Sequence, residues 1–163
     1  MTTKFSICVI AVIVLSAGPA WAGKDEVDFV TRASIGNLFA ITESQLAIEH
    51  ASDPKLKAFA RQLVAAHEKA AAELQSAAEG SGATVSSSLD ADHQRRVAEL
   101  QGKSGADFDK SYAADQGENH SNLLTLYADY MLLGDNPKLK PLAIRMIPLT
   151  EQELRSAQAL SGN

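Results

Sequence analysis

Asp53-Pro54-Lys55-Leu56-Lys57-Ala58-Phe59-Ala60 returns 83 residues later as Asn136-Pro137-Lys138-Leu139-Lys140-Pro141-Leu142-Ala143. Each copy opens with a side chain suited to capping a helix. Proline follows, and its missing N–H costs nothing in a first helical turn. Each copy therefore stops one helix and starts the next within a few residues. A second echo lies upstream, where Asp28-Phe29 matches Asp107-Phe108 at an offset of 79. The chain reads as two helix–turn–helix units joined by a longer link. Short links make antiparallel hairpins and a long one permits a crossover, which together describe a four-helix bundle.

Working outward, Leu56, Phe59, Ala60, Leu63, His67, Ala70 and Leu74 are spaced by threes and fours, as a buried helical face requires. Gly80 and Gly82 end that segment. After a Ser/Thr-rich stretch, Ser87 and Asp90 offer a cap for a short helix running through Leu100. Ser104 with Asp107 offers a cap for the next long segment, which carries Phe108, Tyr112, His120, Leu123, Leu124, Tyr127 and Tyr130. The last segment displays Leu139, Leu142, Met146, Leu149, Glu153, Ala157 and Leu160, and Pro148 inside it predicts a kink. The first starts among Asp25, Glu26 and Asp28, where acids favour the helix dipole, and runs through Phe29, Ala33, Ala40, Leu46 and Ile48 to about His50. No stretch alternates convincingly with a period of two. The expected fold is all-α, a ferritin-like four-helix bundle with an extra short helix in the long crossover link.

Residues 1–22 read differently. Lys4 precedes an almost unbroken apolar run over residues 5–17, Gly18-Pro19 breaks it, and Ala20-Trp21-Ala22 offers small-x-small cleavage chemistry. The run is too short for a spanning helix, which needs about 20 apolar residues. Residues 1–22 are expected to be a signal peptide cut after Ala22, and residues 23–163 one helical-bundle domain in the periplasm or secreted. The only cysteine, Cys8, lies inside the apolar run and away from the cut, which argues against a lipid-modified terminus. The domain itself has no cysteine, so disulfides contribute nothing and a packed core must hold it. Without the signal, 14 basic residues face 20 acidic ones, a net charge of −6. That balance argues against nucleic acid as a partner, and no basic amphipathic stretch suits an anionic membrane surface.

Asp28-Phe29-Val30, Lys57-Ala58-Phe59-Ala60 leading to His67, Phe108-Asp109 with Tyr112, and Pro148 near the end stand in an order that resembles one bacterial family. This is domain-of-unknown-function family 4142, secreted ferritin-like proteins often labelled outer-membrane proteins. The resemblance runs from about Asp25 to Leu160 and implies an exported bundle, free or associated with the outer membrane. It also implies an inward histidine in each of three helices. His67 and His120 match two of these positions, and the third falls at Glu153. The family tends to carry a glutamate near Ala40 and Thr42, where Glu43 is displaced by a residue. The aspartate common before the first two histidines is Ala66 or Asn119 here.

Two classes of function remain open from the residues. Two-iron bundles use Glu-x-x-His on two helices, but Val64 stands three residues before His67 and Gly117 three before His120, which disfavours a ferritin-type oxidase. A smaller site is available from His67, His120 and Glu153, with Glu43 as a candidate fourth ligand. Imidazole with carboxylate suits a divalent metal such as zinc, iron or manganese. The plainer alternative makes the two histidines core polar groups bonded to Glu153, Tyr112 or water, since buried polar groups are normally paired. His50 and His93 lie in polar settings and are expected to face solvent. Without a cysteine nucleophile, a Gly-x-Ser-x-Gly turn or a phosphate-cradling loop, no catalysis is expected. The competing class, and the one the sequence favours, is a non-enzymatic binding or envelope-stress-associated module that meets an envelope protein or another copy of itself. Tyr127, Tyr130, Met131, Leu132 and Leu133 offer the apolar surface for it. Only the first class expects an added metal to raise the melting temperature.

Overall fold

The stops and starts fall where the two Pro-Lys-Leu-Lys copies put them. The structure, a computed structural model, describes residues 24–162. Its helices are α1 (Lys24–His50), α2 (Pro54–Ala78), α3 (Ala91–Gln101), α4 (Gly105–Leu133) and α5 (Leu139–Ser161), with no strand among the described residues. The signal peptide expected over residues 1–22 lies outside them. No helix of the described residues is long and apolar enough to cross a membrane.

Capping chemistry explains the boundaries. Asp53 is extended and its side chain accepts from the Lys55 N–H at 2.8 Å, opening α2. The same turn is tied to α4, because the Asp109 carboxylate accepts from the backbone N–H groups of Ser52 and Asp53, each at 2.9 Å, and from the Ser52 hydroxyl. At the second copy Asn136 gathers the turn before α5, accepting from Lys138 N–H at 2.9 Å and Leu139 N–H at 3.1 Å, with Lys138 at the N-cap position and Pro137 outside the helix. Gly80 and Gly82 have φ of 80° and 83°, a left-handed backbone in which a side chain would be strained. Asp90 is the N-cap of α3, accepting from His93 N–H at 2.9 Å. Ser104 holds the N-cap position of α4 but makes no side-chain cap bond. Helix α5 continues through Pro148, which sits on the exposed side. The carbonyl left without a donor belongs to Ile144, itself exposed, so water can supply the missing bond.

Helices α1 and α2 pack as one hairpin and α4 and α5 as the other, with α1 against α4 and α2 against α5; α3 lies on α1 and α4. The core comes in two apolar clusters. One holds Phe29, Val30, Ala33, Leu74, Leu123, Tyr127, Tyr130, Leu139 and Leu142. The other holds Ala47, Ala51, Leu56, Phe59, Leu63, Phe108, Tyr112 and Ala157. Helices α1 and α5 run from the first cluster to the second, and α2 and α4 run back. The α2–α4 link must therefore traverse the bundle, which is the crossover, and α3 occupies it.

Two apolar expectations shift. Leu149 is 52 % exposed, and the buried line of α5 passes instead through Met146, Thr150 and Ala157. Steps of four from Leu142 reach 146 and 150, one residue past Leu149. At the end of α4, Tyr127 and Tyr130 belong to the core, whereas Leu132 and Leu133 are exposed.

Candidate metal centre

Between the two clusters, every long helix turns polar at its middle. Helix α1 contributes Asn37, Glu43 and Ser44, α2 contributes His67, α4 contributes Gln116, Asn119 and His120, and α5 contributes Thr150 and Glu153. All but Glu153, which is partly buried, are fully inside. A polar layer thus crosses the bundle at its waist, where each group must find a partner or cost free energy.

Three of these side chains converge. His67 Nε2 and His120 Nε2 are 3.1 Å apart, and Glu153 Oε2 lies 3.8 Å from the first and 3.5 Å from the second. The three candidate ligand atoms lie within 4.8 Å of one another. A tetrahedral ion with bonds of about 2.0–2.1 Å separates its nitrogen and oxygen ligands by about 3.4 Å. The observed separations bracket that value, so the three side chains are spaced as ligands of one such ion would be.

The outer nitrogens define what the inner ones can do. His120 Nδ1 faces the backbone carbonyl of Gln116 at 2.6 Å; a carbonyl only accepts, so Nδ1 carries the hydrogen. His67 Nδ1 meets Asn37 Oδ1 at 2.8 Å, which places its hydrogen on Nδ1 as well. Both Nε2 atoms then present lone pairs toward the Glu153 carboxylate. Burial foremost, with His120 adding to it, depresses His67 to about 4 against the opposing pull of Glu153. Burial pushes Glu153 up, but His120 and then His67 beside it pull the other way and leave it below the ordinary carboxylate range. A neutral His67 beside an ionised Glu153 carboxylate has the form that a divalent cation requires of its ligands.

Glu43 does not join this group. It is fully buried in the same waist but engaged elsewhere, accepting from Gln116 Nε2 at 2.8 Å. Burial first, then Asp115, raises it to about 9, so it is a neutral acid at physiological pH. Arg96 of α3 covers this side, donating to Asp115 at 2.7 Å and Glu118 at 3.2 Å while its guanidinium lies 4.9 Å from the Phe39 ring centre.

His50 is exposed as expected, but His93 is only partly so. Its Nδ1 bonds Asp90 at 2.7 Å and its ring meets Phe39 edge-on at 4.7 Å. Asn37 and Gln116 are the participants that reading the sequence missed. A signal was present: Ala33, Asn37, Ala40, Ser44, Ala47 and Ala51 step by fours and threes and are all buried. That line places Asn37 inside beside the alanines.

The family model described as "Domain of unknown function (DUF4142)" matches residues 15–160. The chain belongs to this family. No curated protein matches this DUF4142 chain. Among solved structures it is similar to a DUF305 fragment from Deinococcus radiodurans, with a TM-score of 0.75 at 14% identity over 87% of this chain and 98% of that one. It is also similar to CopM in a silver-bound form, with a TM-score of 0.66 at 17% identity over 82% and 92% of the two chains. A Cu(II)-bound form of CopM gives 0.64 at 16% identity over 83% and 94%. At these identities the likeness establishes the fold, and the helical-bundle expectation stands.

Proposed function

We propose that this chain is a non-enzymatic metal-holding module of the cell envelope. One divalent transition-metal ion is bound by His67 Nε2, His120 Nε2 and a Glu153 oxygen. The supporting observation is the meeting of three acceptors in a buried layer, with Nε2 atoms 3.1 Å apart and both outer nitrogens turned to oxygen acceptors. Such an arrangement is repulsive until a cation enters. Export rests on the signal-like residues 1–22.

The donor set favours copper(II) or zinc over a soft monovalent ion, because it contains nitrogen and oxygen but no sulfur. Copper(II) binds such sites more tightly than zinc, in keeping with the general order of divalent affinities. Similar bundles crystallised with copper(II) and silver lend the reading a precedent in fold. Burial suits holding an ion more than turning over a substrate. Two surface clefts, one around Gly36, His93 and Asn119 and one around Phe29, Asp129 and Tyr130, do not include the three ligands.

Elemental analysis of tag-free protein, with the His67→Ala, His120→Ala double variant beside it, tests the reading. Near-stoichiometric metal lost in the variant is expected. Added metal at about 100 times its dissociation constant should stabilise the native state by about 2.7 kcal/mol. Protein that holds no metal and shows no thermal shift with copper(II) or zinc would overturn it.

A second reading is favoured by Leu132 and Leu133, which are 70 % and 84 % exposed. Self-association through this end of α4 would cover them. A Leu132→Ser variant with unchanged solution mass counts against it.

A further inference from the structure

The two histidines are held from behind in different ways. His120 Nδ1 faces a backbone carbonyl that cannot donate, so its hydrogen stays on Nδ1 whatever happens at Nε2. His67 Nδ1 faces a side-chain amide, that of Asn37, which can turn over and present either an acceptor or a donor. The other end of this amide is unattached: Asn37 Nδ2 is buried and has no partner among the described residues. Asn119, by contrast, is pinned through Nδ2 to the Gly36 carbonyl at 3.1 Å. Among the described residues, His67 is the one hydrogen-bond partner of the Asn37 side chain.

We infer that Asn37 is a two-position amide whose orientation, set with the His67 tautomer, switches the centre between a metal-free and a metal-holding state. The inference rests on the metal reading above. With metal, both Nε2 atoms must be bare. His67 then carries its hydrogen on Nδ1 and Asn37 Oδ1 accepts it, the arrangement in the structure. Without metal, two bare nitrogens 3.1 Å apart repel. His120 cannot supply the missing hydrogen, because its own is held at Nδ1. His67 must therefore supply it, moving it to Nε2 to make an Nε2–H···Nε2 bond and leaving Nδ1 bare. Asn37 turns over and donates from Nδ2 to that nitrogen. His67 keeps one hydrogen throughout, so the exchange is neutral in charge: it shifts a hydrogen from one ring nitrogen to the other, by way of solvent or neighbouring groups, and rotates one amide.

Asn37 is thus a positioning residue that touches no metal. An outer partner of a ligating histidine typically changes metal affinity by 10- to 100-fold when removed. Two-bond proton–nitrogen correlation spectra of nitrogen-15-labelled protein, recorded with and without zinc, report the tautomers directly. The expected result is His120 hydrogen on Nδ1 in both samples, with His67 hydrogen on Nε2 before zinc and on Nδ1 after it. Asn37→Leu should weaken zinc by 10- to 100-fold, and Asn37→Asp, which can only accept when ionised, should restore binding. Zinc that binds while the His67 tautomer stays the same overturns the inference alone, as does an Asn37→Leu variant with wild-type affinity. A chain that binds neither zinc nor copper(II) overturns the metal reading and this inference with it. The spectra need only the wild-type protein, so a variant that fails to fold does not block the decision.

Discussion

The Gln116 side-chain amide donates to Glu43 Oε2 at 2.8 Å, joining a fully buried acid to the residue whose backbone carbonyl holds His120. Because burial, and then Asp115, raise Glu43 from 4.5 to about 9, the native state keeps a proton that the unfolded chain loses near 4.5. The raised value means that Glu43's contribution is fully present below pH 4.5 and declines as pH rises to about 9. Glu43→Gln keeps the shape without the proton to lose. The variant is expected to match the wild type near pH 5 and to be the more stable of the two by pH 9. Denaturant midpoints at both values check it, and a difference independent of pH would show that Glu43 is ionised in the native protein.

Gly36 of α1 packs tightly against Leu123 and Asn119 of α4. A Cβ there would come within 2.7 Å of Leu123 Cδ2, 3.0 Å of Leu123 Cγ and 3.3 Å of Asn119 Oδ1. Alanine gains about 1 kcal/mol in helix propensity over glycine, but overpacking a core costs about 1–3 kcal/mol. Gly36→Ala is expected to lower stability on balance. Adding Leu123→Ala should then cost less than it does in the wild type, because the two sites share one space. Additive losses in thermal unfolding would contradict the close approach.

Ser44 and Tyr112 share a buried hydroxyl–hydroxyl bond of 2.8 Å, 68 residues apart in sequence. Ser44→Ala leaves the phenol inside without its partner, at a cost of about 1–3 kcal/mol. Removing that phenol as well, with Tyr112→Phe, should recover part of the loss. Stability measured over the full double-mutant cycle decides this. A double variant less stable than Ser44→Ala alone would mean that the phenol has another partner.

The helices were legible because their ends are written in local chemistry. Asp53-Pro54 and Asn136-Pro137 act within two or three residues, and the stripe from Leu56 to Leu74 needs only periodicity. The histidines and Glu153 were legible as polar breaks in apolar lines. Asn37 and Gln116 were not singled out, since an asparagine or glutamine on an amphipathic helix looks like any surface position until its partner from another helix is known. Glu43 entered the ligand group only because it stands beside the glutamate position that the family resemblance implies. Its distance from that group depends on which way α1 faces α4, a property of packing that no single helix carries.

Asp109 gathers the α1–α2 turn by accepting from Ser52 and Asp53. Burial alone would raise it, but these bonds prevail and hold it below its ordinary value of 3.8. Its contribution is accordingly present above that value and lost as pH falls through its lower native one. Asp109→Asn should cost roughly 1 kcal/mol at neutral pH, as an amide can offer only one oxygen to three donors. The two proteins should converge in strong acid, and unfolding curves at pH 7 and near pH 2 compare them. A loss at neutral pH that persists in acid would assign the effect to shape instead of charge.

The waist takes His67 from α2, His120 from α4, Glu153 from α5 and the rear support of His67 from α1. No single hairpin holds the set, so an ion would find all three side chains only after both hairpins have docked. Time then enters: a cation bound there would act as a bolt fitted last. It would leave the refolding rate nearly untouched and slow unfolding almost in proportion to the stability it adds. In a domain with no cysteine to lock it, that would make metal supply a control on how long each folded molecule lasts.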